Sequence, residues 1–208
     1  MQTDRIDPGK PVVALTFDDG PSEYTSRILN TLQQHGGRVS FFVTGSRIAD
    51  HKNKVFRAHQ MECEIICHAW DHPDFTALTV VEIMQQVTDT INAIEAVTGS
   101  ISPMFRPPYG YMNKKVLKAA KKLELAIVNW SVDPRDWEHK DAQLVLSHIM
   151  DNIKSGDIVL CHDLYESTAD AMDVLIPELI KAEVQLVTVS ELLHHKYGEI
   201  EPGKVYPL

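Results

Sequence analysis

The sequence predicts an α/β chain of repeated strand-then-helix units around a parallel sheet, and three observations carry that prediction. Apolar runs rich in Val, Ile and Phe alternate with stretches of helical periodicity, where a hairpin protein would set strand after strand. The 208 residues suffice for one large core, and no linker, internal repeat or low-complexity stretch divides them. Polar residues collect just after the apolar runs, as they do where parallel strands all end on one rim. Seven units suit a closed or nearly closed barrel; an open doubly wound sheet shares the alternation, although no G-x-G-x-x-G follows the first strand.

Strands are expected at Val12 to Phe17, Val39 to Thr44, Cys63 to Cys67, Met104 to Arg106, Leu125 to Ser131, Asp157 to Cys161 and Gln185 to Val189. Apolar residues three and four apart predict helices at Thr25 to Gln34, Arg47 to His59, Val80 to Val97, Lys114 to Lys122, Ala142 to Lys154 and Ala169 to Lys181. The third has the sharpest limits: Thr79 and Glu82 form a capping box, and Gly99 stands as its C-terminal cap. Gly156 follows the fifth helix in the same way, and Pro177 is expected to bend or split the sixth. Gly198 to Gly203 reads as an extended, surface-bound tail.

A formal net charge of −9 argues against a nucleic-acid partner, whose phosphates want a basic face; the Lys114 to Lys122 cluster has the spacing of a solvated helix face. No apolar run approaches the ~20 residues needed to span a bilayer. Cys63, Cys67 and Cys161 show no metal-ribbon or disulfide spacing and read as free thiols. The segment Met1 to Arg5 lacks the layout of a signal peptide, so the chain is expected either to stay inside or to have lost an export segment.

The stretch Ala14-Leu15-Thr16-Phe17-Asp18-Asp19-Gly20-Pro21 ends a buried run on two adjacent carboxylates, which repel unless a cation or donor separates them. His68 and His72, four residues apart after the third strand, can face one ion. With Asp19 they make two neutral nitrogens and one carboxylate, a recurring set for catalytic zinc that leaves a position open. Neighbouring side chains of an extended segment point opposite ways, so one Asp can bind the metal while the other addresses water. Arg106, Asp133, Asp136 and His162 end or follow the remaining strands; Arg106 with the two carboxylates also fits a salt-bridge network.

In order, Thr16-Phe17-Asp18-Asp19-Gly20-Pro21, His68-x-x-x-His72-Pro73, Arg106-Pro107-Pro108-Tyr109-Gly110, Asp133-x-x-Asp136-Trp137 and Leu160-x-His162 resemble the motifs of the NodB-type polysaccharide deacetylases. The resemblance runs from about Pro11 to Leu193 and leaves 194–208 as an extended tail of a single domain. It implies a distorted (β/α) barrel with about seven parallel strands. The implied activity is metal-dependent removal of acetyl groups from a polysaccharide, foremost N-deacetylation of N-acetylglucosamine in peptidoglycan or chitin-like chains. An O-acetyl xylan esterase and a non-catalytic carbohydrate-binding protein are the alternatives. Carried over by motif, Asp18 is the base and Asp19, His68 and His72 hold the metal, zinc first and cobalt or nickel next. Arg106 orients Asp18, the Tyr109 N–H is an oxyanion donor, and Asp136 tunes the acid His162. Pro107, Trp137 and Leu160 border the substrate. Family substrates imply a place outside the cytoplasm. The chain departs from the pattern at Cys67, where Asn is common, and at Ala69, where Ser or Thr is usual, which places metal affinity and loop rigidity in question.

Overall fold

All seven expected strands form in the computed structural model, which describes residues 5–207. They are β1 (Val12–Asp18), β2 (Ser40–Thr44), β3 (Glu64–Ala69), β4 (Met104–Phe105), β5 (Ala126–Val128), β6 (Ile158–His162) and β7 (Gln185–Leu186), joined by an eighth, β8 (Val205–Tyr206). The sheet runs β6-β1-β2-β3-β4-β5-β8, with every pairing parallel. β7 pairs with Val12 and Val13 at the foot of β1, and the Arg38 N–H just before β2 donates to the Leu186 carbonyl, so β7 wedges where β1 and β2 splay. A bridge from Val132 to Val159 brings the segment after β5 back to β6. This is a distorted, incompletely closed (β/α) barrel.

Each strand is buried on both faces, and the period of two divides its residues between two cores. Val12 and Ala14, Phe42, Ile66, Met104, Ala126, Val128 and Ile158 fill the barrel interior. Val13, Leu15 and Phe17, Phe41 and Val43, Ile65, Cys67 and Ala69 pack outward under the helices. The inward register therefore continues through Thr16 to Asp18, through Ile66 to His68, through Met104 to Arg106, and through Ile158 and Leu160 to His162. Polar side chains crown an apolar plug.

The covering helices are α1 (Thr25–His35), α2 (Gly45–Ile48), α3 (Lys52–Gln60), α4 (Val80–Thr98), α5 (Lys114–Leu123), α6 (Asp136–His139), α7 (Ala142–Asn152), α8 (Glu166–Lys181) and α9 (Val189–Tyr197). Thr79 and Glu82 cap α4 reciprocally, and Gly99 ends it in a left-handed conformation, as expected. The expected helix over 47–59 is broken: a 3₁₀ turn at Ala49–His51 precedes α3, and His51 leaves helical geometry at φ −128° and ψ 24°. α7 stops at Asn152 because Ile153 is extended, which leaves Gly156 in the following turn. α8 runs through Pro177 without splitting, held by buried Leu175, Ile176 and Leu179.

Two other expectations fail at the C-terminus. Thr188 and Glu191 form a second capping box, so the chain turns helical at Val189 where strand was expected, and His194 to Tyr197 belong to α9. Gly198 to Gly203 lie largely at the surface, as expected, and the chain then turns inward. Tyr206 is fully buried inside the barrel, where β8 extends the sheet beside β5. β5 itself ends at Val128 because the next carbonyl, of Asn129, turns to Arg106 and the Ser131 N–H crosses to Ile158 on β6.

Candidate metal centre and active site

Asp18 ends β1 pointing inward, and Asp19 does not continue the strand: its φ of 71° is left-handed. The alternation expected for an extended pair therefore breaks there, and both carboxylates reach the same rim. Asp19 Oδ1 lies 3.2 Å from His68 Nε2 and 3.2 Å from His72 Nε2. One donor atom from each of the three residues lies within 4.8 Å of the others. His68 stands in the inward register of β3 and His72 lies in the loop beyond it, itself left-handed at φ 62°. His68 Nδ1 donates to the Arg106 carbonyl at 2.8 Å, which puts the proton there and leaves the Nε2 lone pair facing the cluster.

Asp19 Oδ1 is buried and makes no aligned hydrogen bond, even with two imidazole nitrogens so near. Burial pushes the Asp19 carboxyl up, but the neighbouring His68 imidazole, followed by His72 and His162, outweighs it and brings it down to about 2. Burial also lowers His72, which favours neutral imidazole. An ionised carboxylate and two imidazoles converging on one point fit a divalent cation, and the mixed N and O donors suit a zinc-like ion.

Two buried polar pairs flank this cluster. On one side Arg106, with 0% exposure, donates to Asp18 Oδ1 at 2.6 Å and to Thr16 Oγ1 at 2.9 Å. It also donates to the carbonyls of Val128 at 3.0 Å and Asn129 at 2.9 Å, and lies 3.8 Å over the Phe42 ring. The second oxygen of Asp18 is 3.9 Å from His68 Nε2. On the other side Asp136, at the start of α6, accepts from His162 Nδ1 at 2.7 Å through Oδ1. Its Oδ2 accepts from the His162 N–H and the Thr168 hydroxyl, each at 2.7 Å. Burial works against a charge on His162, but the hydrogen bond and charge of Asp136, aided by Asp18 and Asp19, raise it to about 9.

The other expected site residues sit on the same rim. Tyr109 follows β4 in a left-handed turn, half-exposed, its ring edge-on to His72 with centroids 4.6 Å apart. Pro107 is buried beneath it, Trp137 is exposed beside Asp136, and Leu160 is buried two residues before His162 in the same inward register. Asp133 is apart from them: it accepts from the Arg135 N–H at 2.8 Å and shapes the turn. The network of Arg106 with Asp133 and Asp136 does not form, because Arg106 is used up by Asp18, Thr16 and two carbonyls.

Sequence reasoning missed Thr16, Thr168 and Asp163. Thr16 was findable as the inward residue before Asp18, and Asp163 as a second polar residue after β6. Asp163 is fully buried, and burial raises its carboxyl to about 7 against a hydrogen bond from Thr25. A cavity of about 530 Å³, lined by Arg38, Glu64, Ser190 and Glu191 among others, opens at the opposite foot of the barrel and contains none of these groups.

A barrel with this rim is found in known proteins. The chain is 38% identical over 188 residues to the peptidoglycan-N-acetylmuramic acid deacetylase PdaC of Bacillus subtilis, covering 90% of this chain and 40% of that protein. The crystallised part of PdaC superposes with a TM-score of 0.88 at 36% identity, over 93% of this chain and 95% of that one. A peptidoglycan-N-acetylglucosamine deacetylase of Bacillus cereus is 35% identical over 89% of this chain and 90% of its own. A structure described as a CE4 family pseudoenzyme from Bacillus anthracis matches with a TM-score of 0.81 and 30% identity, over 90% and 66% of the two chains. The profile of the polysaccharide deacetylase family matches residues 5–128, from ahead of the Asp18-Asp19 strand to beyond Arg106 and Tyr109, and with these relatives it shows that the chain belongs to that family.

Proposed function

We propose that the chain hydrolyses acetyl groups from a polysaccharide, foremost the N-acetyl groups of N-acetylglucosamine in peptidoglycan or chitin-like glycans, outside the cytoplasm. One observation carries this reading: the Asp19, His68 and His72 cluster lies between an Arg-bound carboxylate and an Asp-bound imidazole. A binding protein needs neither a base nor an acid at such a point.

Asp19, His68 and His72 would hold a divalent cation, zinc by donor type, and it would supply Lewis-acid chemistry toward the acetyl carbonyl and water. Asp18, fixed through Oδ1 by Arg106, offers its other oxygen to accept the proton of the attacking water. The Tyr109 N–H donates to the carbonyl oxygen as it gains charge. His162 carries the proton for the departing amine; a cation nearby disfavours that charge, and Asp136 restores it. Pro107, Trp137 and Leu160 wall the acetyl group.

The test is acetate release from matched N- and O-acetylated oligosaccharides of peptidoglycan, chitin and xylan type, with chelator and with Zn²⁺, Co²⁺ or Ni²⁺ restored. Release confined to O-acetyl xylan would replace the substrate class. Metal uptake without any release would replace the activity by binding.

A further inference from the structure

We infer that Asp163 is a positioning residue that latches the loop carrying Asp19 into its metal-gripping shape; this rests on the reading of Asp19 as a metal ligand. Asp19 holds φ 71°, a backbone state that a residue with a Cβ keeps only when its surroundings impose it. The segment after it is fastened to Asp163 at three points. A Cβ on Gly20 would fall inside the Asp163 carboxylate, so the chain runs flush against it and only glycine fits. The Ser22 hydroxyl donates to the Asp163 carbonyl, and the Thr25 hydroxyl donates to Asp163 Oδ2.

Thr25 in turn accepts from the Ser22 N–H at 2.8 Å, closing the loop on itself. Thr25 also opens α1, whose first turn has no acidic residue and whose N-cap, Tyr24, makes no side-chain bond. Asp163, just after β6, sets its carboxyl group against the Thr25 hydroxyl at this helix start. From β2, Thr44 adds an N–H to the Gly20 carbonyl at 2.8 Å. Asp163 Oδ1 is buried without a hydrogen-bond partner among the described residues, a disadvantage that folding alone gives no reason to keep. Its return is the aim of Asp19: Oδ1 stays equidistant from two imidazoles only while residues 20–25 are held.

The test is Zn²⁺ affinity of metal-free protein by competition with a chelating dye, with Co²⁺ absorption as a report on ligand geometry and circular dichroism as a check on folding. Asp163→Ala and Thr25→Val are each expected to weaken Zn²⁺ by about 10- to 100-fold, the range for groups that orient metal ligands, and to alter the Co²⁺ bands. Asp163→Asn keeps an acceptor for Thr25 and is expected to stay within about threefold of the parent, well short of that range. Folded variants with parental Zn²⁺ affinity would overturn the latch, even if they melt earlier. Should Asp163→Ala not fold, Thr25→Val decides by the same criterion. A parent protein that takes up no Zn²⁺ overturns the metal-centre reading, and the latch with it.

Discussion

Asp136→Asn isolates the electrostatic half of the proposed acid. Asp136 is fully buried and His162 nearly so, and the change keeps the shape and an acceptor for Thr168 while removing the charge that faces His162 Nδ1. Raising a histidine from 6.5 to about 9 corresponds to about 3–4 kcal/mol at about 1.4 kcal/mol per pH unit, an upper bound because a bound cation opposes it. With Asp136 neutral, burial becomes the dominant influence and His162 falls. The folded-state value lies above the unfolded one, so the stabilisation is complete below pH 6.5 and is lost as pH rises through about 9. Metal-free parent protein should thus lose stability to urea between these pH values, and Asp136→Asn should show little of that loss. In the loaded enzyme the basic limb of kcat/KM should move down by about one to two pH units, within the displacement that the pair can supply. A basic limb that stays where it was, in a variant that binds metal normally, would refute the pairing of Asp136 with the acid.

Other perturbations have equally direct outcomes. Arg106→Met strips the buried Asp18 of its partner and leaves two carbonyls without a donor, so urea unfolding should show a loss of about 3–5 kcal/mol. Asp18→Asn should cut acetate release by about 10²- to 10⁴-fold with metal content intact, whereas Asp19→Asn should lower the metal content itself, read by elemental analysis. Gly45→Ala sets a Cβ 2.5 Å from the Trp70 ring and 2.7 Å from Thr90 Oγ1, for an expected loss of about 1–3 kcal/mol in thermal or urea unfolding. Burial pushes the thiols of Cys63, Cys67 and Cys161 up, Cys63 to about 11, so an aromatic disulfide reagent should label them only in denaturant.

What was legible in the sequence follows from what is locally encoded. Buried parallel strands show as apolar runs, and their shared direction gathered Asp19, His68 and His72 from segments some fifty residues apart into one cluster. The capping box at Thr79 announced α4; the same signal at Thr188 and Glu191 announced α9, but the preceding apolar run masked it. β8 was illegible because two residues, Val205 and Tyr206, have no period, and only the gap beside β5 gives them a place. Asp19 was misread as extended because nothing local marks its left-handed turn. That turn depends on β6, some 140 residues later, through the contacts of Ser22 and Thr25 with Asp163.

A shared barrel does not by itself carry turnover, since a structure described as a pseudoenzyme matches this one with a TM-score of 0.81. Asp18, Arg106 and Asp136 are buried in the crown of the barrel, where well-packed apolar residues of similar volume are often equally or more stabilising than ion pairs. The two departures from the family pattern do not touch this arrangement. Cys67 and Ala69 flank His68, so the period of two sends both outward beneath the helices while His68 faces the cluster. Cys67 Sγ meets the Val87 carbonyl of α4 at 3.7 Å, and burial pushes its thiol far up, so it is packing and no rival for metal. A hydroxyl on residue 69 would point into that same layer, away from the imidazoles. The substitutions that place metal affinity in question from sequence therefore lie on the opposite side of the strand from the imidazoles, and the inward face of β3 keeps the donor the proposed chemistry requires.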